Sequence, residues 1–177
     1  MKKGIQPIAS CDAPELNGIV QYTGSLNARG LSCALVVSRF NTELTHGLLQ
    51  AAVATLLDSG MTADAITVTW VPGAFEIPTL LEQRAREGCW DMLIALGAVL
   101  EGQTPHAQAI NRGVTRSFIS IARTYAVPVI DGVVCALDWD QAAQRCLQAE
   151  NNRGAYAARA AIETARVMQA RAPAKER

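Results

Sequence analysis

The stretch Leu31–Gly60, LSCALVVSRFNTELTHGLLQAAVATLLDSG, indicates how this chain folds. Its first nine residues form a short apolar run with β-branched side chains, which predicts a strand buried on both faces. A polar loop follows, in which Asn41 or Thr42 can cap a helix, and Gly60 stands where that helix would end. The helix itself is predicted from four apolar residues that share one face, namely Leu44, Leu48, Ala52 and Leu56.

The same strand–loop–helix pattern recurs to the end of the chain. Further strands are predicted at AITVTWV (65–71), DMLIALGAV (91–99) and VPVIDGVVC (127–135). Helices are predicted at 72–88, at about 105–125, from Asp138 to about Leu147, and from about Gly154 to Ala170. This alternation implies βαβ units with right-handed crossovers. We therefore predict an α/β three-layer sandwich with a mostly parallel four-stranded sheet in flavodoxin-like order.

The first thirty residues lack the strand and helix pattern of the rest of the chain. Residues 1–30 show no clear periodicity, so we predict an N-terminal arm there and a single domain over residues 31–177. An edge strand around Gly18–Tyr22 is left open.

Composition argues against several classes of protein. The 177 residues include 16 Lys and Arg and 16 Asp and Glu, so no bulk charge favours nucleic acid. No apolar run approaches the roughly 18 residues of a membrane span, and no apolar signal core follows the N-terminus. We therefore expect a cytoplasmic protein. Five cysteines, with no C-x-x-C pair, are typical of reduced thiols rather than of disulfides or a zinc site.

Three loops follow predicted strands and should meet at one edge of the sheet. They are SRFN (38–41), VPGAFE (71–76) and GAVLEGQTPH (97–106). In open parallel sheets, ligands bind outside the carboxyl ends of the strands. We therefore expect the ligand site at this edge.

The third loop has the features of an anion site at the start of a helix. Pro105 suits a first helical turn, Thr104 can act as the N-cap, and the free backbone N–H groups of the turn can bind phosphate. His106 could exchange protons with a substrate there, as a general acid–base. The alternative is an ordinary surface residue, which is the preferred interpretation for the other histidine, His46.

Other side chains near these loops allow two interpretations each. Phe40 could stack on a flat heterocycle, or it could pack on a neighbouring side chain. Glu76 could bind hydroxyl groups, or it could favour the positive start of the following helix. Arg145 and Arg153 suit phosphate because a guanidinium makes paired hydrogen bonds, although Arg145 could also be a solvated helix residue.

In this order the loops resemble the 6,7-dimethyl-8-ribityllumazine synthase family of riboflavin biosynthesis. The matching segments are VVSRFNTELTHGLL, VTWVPGAFEIP, ALGAVLEGQTPH and QAAQRCLQAENNRGAYAARAAIETA, and the similarity extends over about Leu31–Met168. The resemblance implies condensation of 5-amino-6-(D-ribitylamino)uracil with 3,4-dihydroxy-2-butanone 4-phosphate, without a metal or an organic cofactor.

The resemblance also implies a role for each matching position. His106 would move protons, and Phe40 would stack on the pyrimidine. The residues expected at the ribityl chain and the ring edge are Ala74, Glu76, Ala98 and Val99. Those expected at the phosphate are Gln103, Thr104 and Arg145, with Arg153 and Asp131 as further candidates.

This chain departs from the family pattern at several of its positions. Glu101 stands where the family often has arginine, and HAQAI replaces an aromatic-rich run. Asp131 stands where a phenylalanine of the neighbouring subunit commonly completes the pocket, and its carboxylate would repel a phosphate. Arg153 and Ala149 replace lysines.

The family builds its active site between adjacent subunits of a pentamer, and some pentamers form icosahedral shells. The resemblance thus implies a homo-oligomer, with the shell and a contact with riboflavin synthase left open. Two other functions also stay open: a relative without turnover that binds riboflavin or a similar heterocycle, and a structural protein that forms shells.

Overall fold

Residues 19–170 are described by a computed structural model of the chain. The strands are β1 (Cys33–Ser38), β2 (Ile66–Val71), β3 (Met92–Leu100) and β4 (Val129–Ala136). The main helices are α1 (Thr42–Asp58), α2 (Ile77–Glu87), α3 (His106–Tyr125), α4 (Trp139–Cys146) and α5 (Arg153–Gln169).

The four strands form a parallel sheet in the order β2-β1-β3-β4. β1 lies inside the sheet and all six of its residues are buried, as the apolar run had predicted. β2 and β4 form the edges, and their residues are more exposed. The alternation of strands and helices therefore predicted the sheet correctly.

Two apolar cores lie on opposite faces of the sheet and make the molecule a three-layer sandwich. One core joins the sheet to α1, α4 and α5 through residues such as Leu48, Ala142 and Ala161. The other joins it to α2 and α3 through Leu81 and Phe118. The predicted α/β three-layer architecture, with its flavodoxin-like parallel sheet, is confirmed.

The helix ends follow the sequence prediction in part. Gly60 follows α1 with a φ of 93°, and the Asp138 side chain caps α4 by accepting from the Gln141 N–H. Thr104, however, is not the N-cap of α3. Pro105 occupies that position, and no side chain caps the helix.

Asn41 is likewise not a side-chain cap, although it precedes α1. Its backbone is left-handed, with a φ of 57°, and its Nδ2 atom donates to the Ala98 carbonyl at 2.9 Å. The side chain therefore turns toward β3 instead of toward the N–H groups of its own helix.

The edge strand left open around Gly18–Tyr22 is not seen in residues 19–22, and Gly18 lies outside the described residues. The segment that follows runs along α5. Arg166 donates to the carbonyls of Asn27 and Arg29, both at 2.7 Å. The division into an arm and a domain at residue 30 stays a prediction.

Within residues 19–170, every helix is too short or too polar to cross a membrane.

Candidate active site

Backbone hydrogen bonds hold the three loops at the carboxyl edge of the sheet. The Arg39 and Phe40 N–H groups donate to the Val71 and Pro72 carbonyls at 2.8 and 3.0 Å, which joins the first two loops. The Glu101 N–H donates to Ala136 at 2.9 Å and ties the third loop to β4. The loops thus meet where the strand pattern had predicted.

Phe40 is presented to solvent by this arrangement. Its ring does not pack into the core, since 71% of the residue is exposed. The neighbouring Asn41 bridges the first loop to β3 and so fixes the position of Phe40. An exposed aromatic ring on a backbone held at both sides is a suitable surface for stacking.

The second loop presents another aromatic ring. The Glu76 carboxylate accepts from the Gly73 N–H at 2.8 Å and so closes the turn ahead of α2. Ala74 is buried in this turn, whereas Phe75 is 70% exposed. Sequence reasoning passed over Phe75, although an aromatic between Ala74 and Glu76 in a turn could have indicated it. Within residues 19–170, the second carboxylate oxygen of Glu76 accepts no hydrogen bond.

Ala98 and Val99 lie at the end of β3, where they pair with Val134 and Cys135. Ala98 is buried, and its carbonyl already accepts from Asn41. Val99 is half-buried. These residues can offer backbone rather than side-chain groups at the sheet edge.

The third loop is open to solvent. Gln103, Thr104 and His106 are exposed, and α3 begins at His106. Since no side chain caps α3, its first N–H groups remain free to bind an anion.

A separate cleft of about 320 Å³ lies along the edge strand β4. It is lined by residues 131–135 of β4, by Arg145 of α4, and by Arg153 and Tyr156 of α5. None of the loop residues described above lines it. The predicted site residues therefore form two groups within one chain, the loop group and the cleft group.

The two arginines of the cleft are half-buried, and within residues 19–170 neither forms a salt bridge. Arg145 donates from Nη1 to the Gln141 carbonyl at 2.9 Å, one turn back on its own helix. The Arg153 guanidinium lies over the Tyr156 ring, 5.4 Å from its centroid. Two guanidinium groups without an acidic partner favour an anion in this cleft.

Comparison with protein families identifies the family of this chain. The model of the 6,7-dimethyl-8-ribityllumazine synthase family matches residues 30–169, which is most of the chain and includes both groups. The chain belongs to this family. The match supports a transferase of riboflavin biosynthesis that acts on small molecules.

This lumazine synthase family member carries an acidic residue, Asp131, in its cleft. The Asp131 carboxylate accepts from the Val133 N–H at 2.9 Å and from the Thr115 hydroxyl at 3.3 Å. Asp131 is exposed as a residue, but the protein atoms around its carboxylate displace water and raise the pKa of Asp131, while the two hydrogen bonds act in the opposite direction.

Cys135 is the cysteine that lines the cleft. Burial raises the pKa of Cys135 to about 11, and the charges of Asp131 and Glu101 contribute, so its thiol is a weak nucleophile at neutral pH. Between residues 19 and 170, His, Cys, Asp and Glu side chains nowhere gather in threes that could hold a metal ion.

Proposed function

We propose that the chain condenses 5-amino-6-(D-ribitylamino)uracil with 3,4-dihydroxy-2-butanone 4-phosphate to give 6,7-dimethyl-8-ribityllumazine. The amine of the uracil attacks the ketone, and water leaves to form an imine. Inorganic phosphate is then eliminated, and the ring closes with loss of a second water. The reaction needs a surface for a flat ring, a site for phosphate and a group that moves protons.

The observation that carries this proposal is the cleft containing Arg145 and Arg153. These half-buried guanidinium groups form no salt bridge with the carboxylates of residues 19–170, and they suit a phosphate because each can make charge-assisted and paired hydrogen bonds. Arg145 retains donors for this purpose, since within residues 19–170 its guanidinium uses only Nη1.

The loop group supplies the other two requirements of the reaction. The exposed ring of Phe40 would stack on the pyrimidine, with Ala74, Glu76, Ala98 and Val99 around the ribityl chain and the ring edge. His106, at the start of α3, would move protons. Gln103 and Thr104 would contribute polar groups to the phosphate site.

A shared site between copies would bring the two groups together. The loop group of one chain would face the cleft group of its neighbour, as the family resemblance implies for a pentamer. A site between copies is supported by the lining of the cleft, which contains none of the loop-group residues of the same chain. Sedimentation of the purified protein would distinguish a pentamer from a larger shell.

The assay follows lumazine absorbance above the uncatalysed background. We expect Arg145→Ala to impair use of the phosphorylated substrate most severely. His106→Ala should slow turnover by about 10²-fold, at the low end of the 10²- to 10⁴-fold that proton transfer typically contributes, because this condensation also proceeds slowly by itself. Arg159→Ala, which removes an exposed arginine of α5, is the matched control and should keep full activity.

Equal activity in the wild type and in both site variants would overturn this assignment. A protein that binds riboflavin but forms no lumazine would indicate the non-catalytic relative instead.

A further inference from the structure

Asp131 is an acidic side chain in a cleft that otherwise favours anions. It lines the same cleft as Arg145 and Arg153, yet it forms no salt bridge with either of them. The cleft therefore combines two guanidinium groups with one carboxylate that does not neutralise them by direct contact.

Hydrogen bonds fix the position of this carboxylate. One oxygen accepts from the Val133 N–H of the edge strand, and the other accepts from Thr115 on α3. Both contacts come from the protein itself, so two donors orient the carboxylate within the cleft. An anion that enters the cleft would therefore meet the charge of Asp131.

We propose that Asp131 sets the charge selectivity of the Arg145–Arg153 cleft, weakening the binding of dianions more than that of monoanions. The inference rests on the proposed function, in which this cleft holds the phosphate of the substrate. Coulomb repulsion scales with the charge of the ligand, so a dianion meets twice the repulsion of a monoanion at the same place.

The charged and titratable groups near Asp131 determine when this repulsion acts. Those that line the cleft with it are Cys135 on the same strand, Arg145 on α4, and Arg153 and Tyr156 on α5. The charge of Glu101, which follows β3, acts on Cys135 as that of Asp131 does. Burial raises the pKa of Asp131, so the carboxyl takes up a proton at a higher pH than an exposed aspartate. Repulsion should therefore weaken as the pH falls, and it should do so at a higher pH than for a solvated aspartate.

Sulfate and methyl sulfate are suitable probes, because both are tetrahedral and keep charges of about −2 and −1 across the working pH range. Binding to the assembled protein is measured by calorimetry at neutral pH in the wild type and in Asp131→Asn. Asparagine keeps an oxygen that can accept from Val133, so the edge strand is preserved. Asp140→Asn, at an exposed position of α4, is the charge-matched control.

We expect Asp131→Asn to tighten sulfate binding about fivefold but methyl sulfate binding only about twofold. The repulsion between Asp131 and the anion acts over several ångströms of a partly aqueous cleft, and its energy is twice as large for the dianion. Asp140→Asn should change neither affinity. As the pH is lowered, the wild-type affinity for sulfate should approach that of Asp131→Asn. Equal gains for the two anions would indicate a merely structural role and would overturn the inference.

Arg145→Ala separates failure of the inference from failure of the proposed function. If this variant loses sulfate binding while Asp131→Asn behaves like the wild type, the cleft is an anion site and only the role of Asp131 is wrong. If Arg145→Ala binds sulfate as the wild type does, the cleft is not the phosphate site and both proposals fail.

Discussion

The side chain of Asn152 makes four hydrogen bonds at the point where α4, α1 and α5 meet. Its Oδ1 atom accepts from the Gly154 and Ala155 N–H groups at the start of α5. Its Nδ2 atom donates to the carbonyls of Gly47 and Cys146. The sequence placed a helix start here, one residue late, but it could not indicate these donor contacts, because Gly47 lies 105 positions away.

Asn152→Ala should lower the free energy of unfolding by about 3 kcal/mol. The change removes a helix cap, worth about 1 kcal/mol, and leaves two carbonyls without their donor. Asp138→Ala is the matched control, since Asp138 caps α4 with a single bond and is exposed, and it should cost only about 1 kcal/mol. Denaturant unfolding at a fixed protomer concentration measures both values, and equal losses would contradict this account.

The strands and helices themselves were predictable because their apolar spacing reflects burial. β1 is buried throughout, and the four residues of the predicted α1 face are all buried, together with Thr45. Helix ends were less predictable, because capping depends on which partner a side chain meets: Asp138 caps its helix, whereas Asn41 reaches across to Ala98. The crossing of α1 and α5 also depends on a contact, since a Cβ at Gly154 would overlap the Leu48 carbonyl.

Gly154→Ala should therefore destabilise the protein by about 3 kcal/mol, since overpacking against backbone forces the two helices apart. The same change on α3, Gly113→Ala, should have the opposite sign. No atom of the described chain lies within 4 Å of a Cβ there, and alanine favours a helix by about 1 kcal/mol over glycine. Thermal and denaturant unfolding of both variants would test this, and destabilisation by Gly113→Ala would show that a neighbouring chain packs on that face.

Over the whole molecule, the loop group was predictable from the strand order, because parallel strands bring their carboxyl ends to one edge. The cleft group was not, because Asp131, Arg145 and Arg153 come from three elements whose relative orientation follows only from packing. The family pattern suggested them one by one. Because the cleft group is separate from the loop group, a complete site could combine the two groups of one chain or the groups of two neighbouring chains.

Mixed oligomers would answer that question. His106→Ala damages the loop group and Arg145→Ala damages the cleft group, so each variant alone should have little activity. If sites form between neighbouring chains, equal mixing during assembly gives about a quarter of the sites an intact loop group and an intact cleft group. Lumazine formation should then recover to about a quarter of the wild-type rate. Mixing the two variants only after assembly is the control and should give no recovery. If each chain instead completed its own site, activity would stay at the mean of the two variants under both protocols. Every chain carries one of the two substitutions, so each site within a single chain would stay damaged whichever neighbour it has.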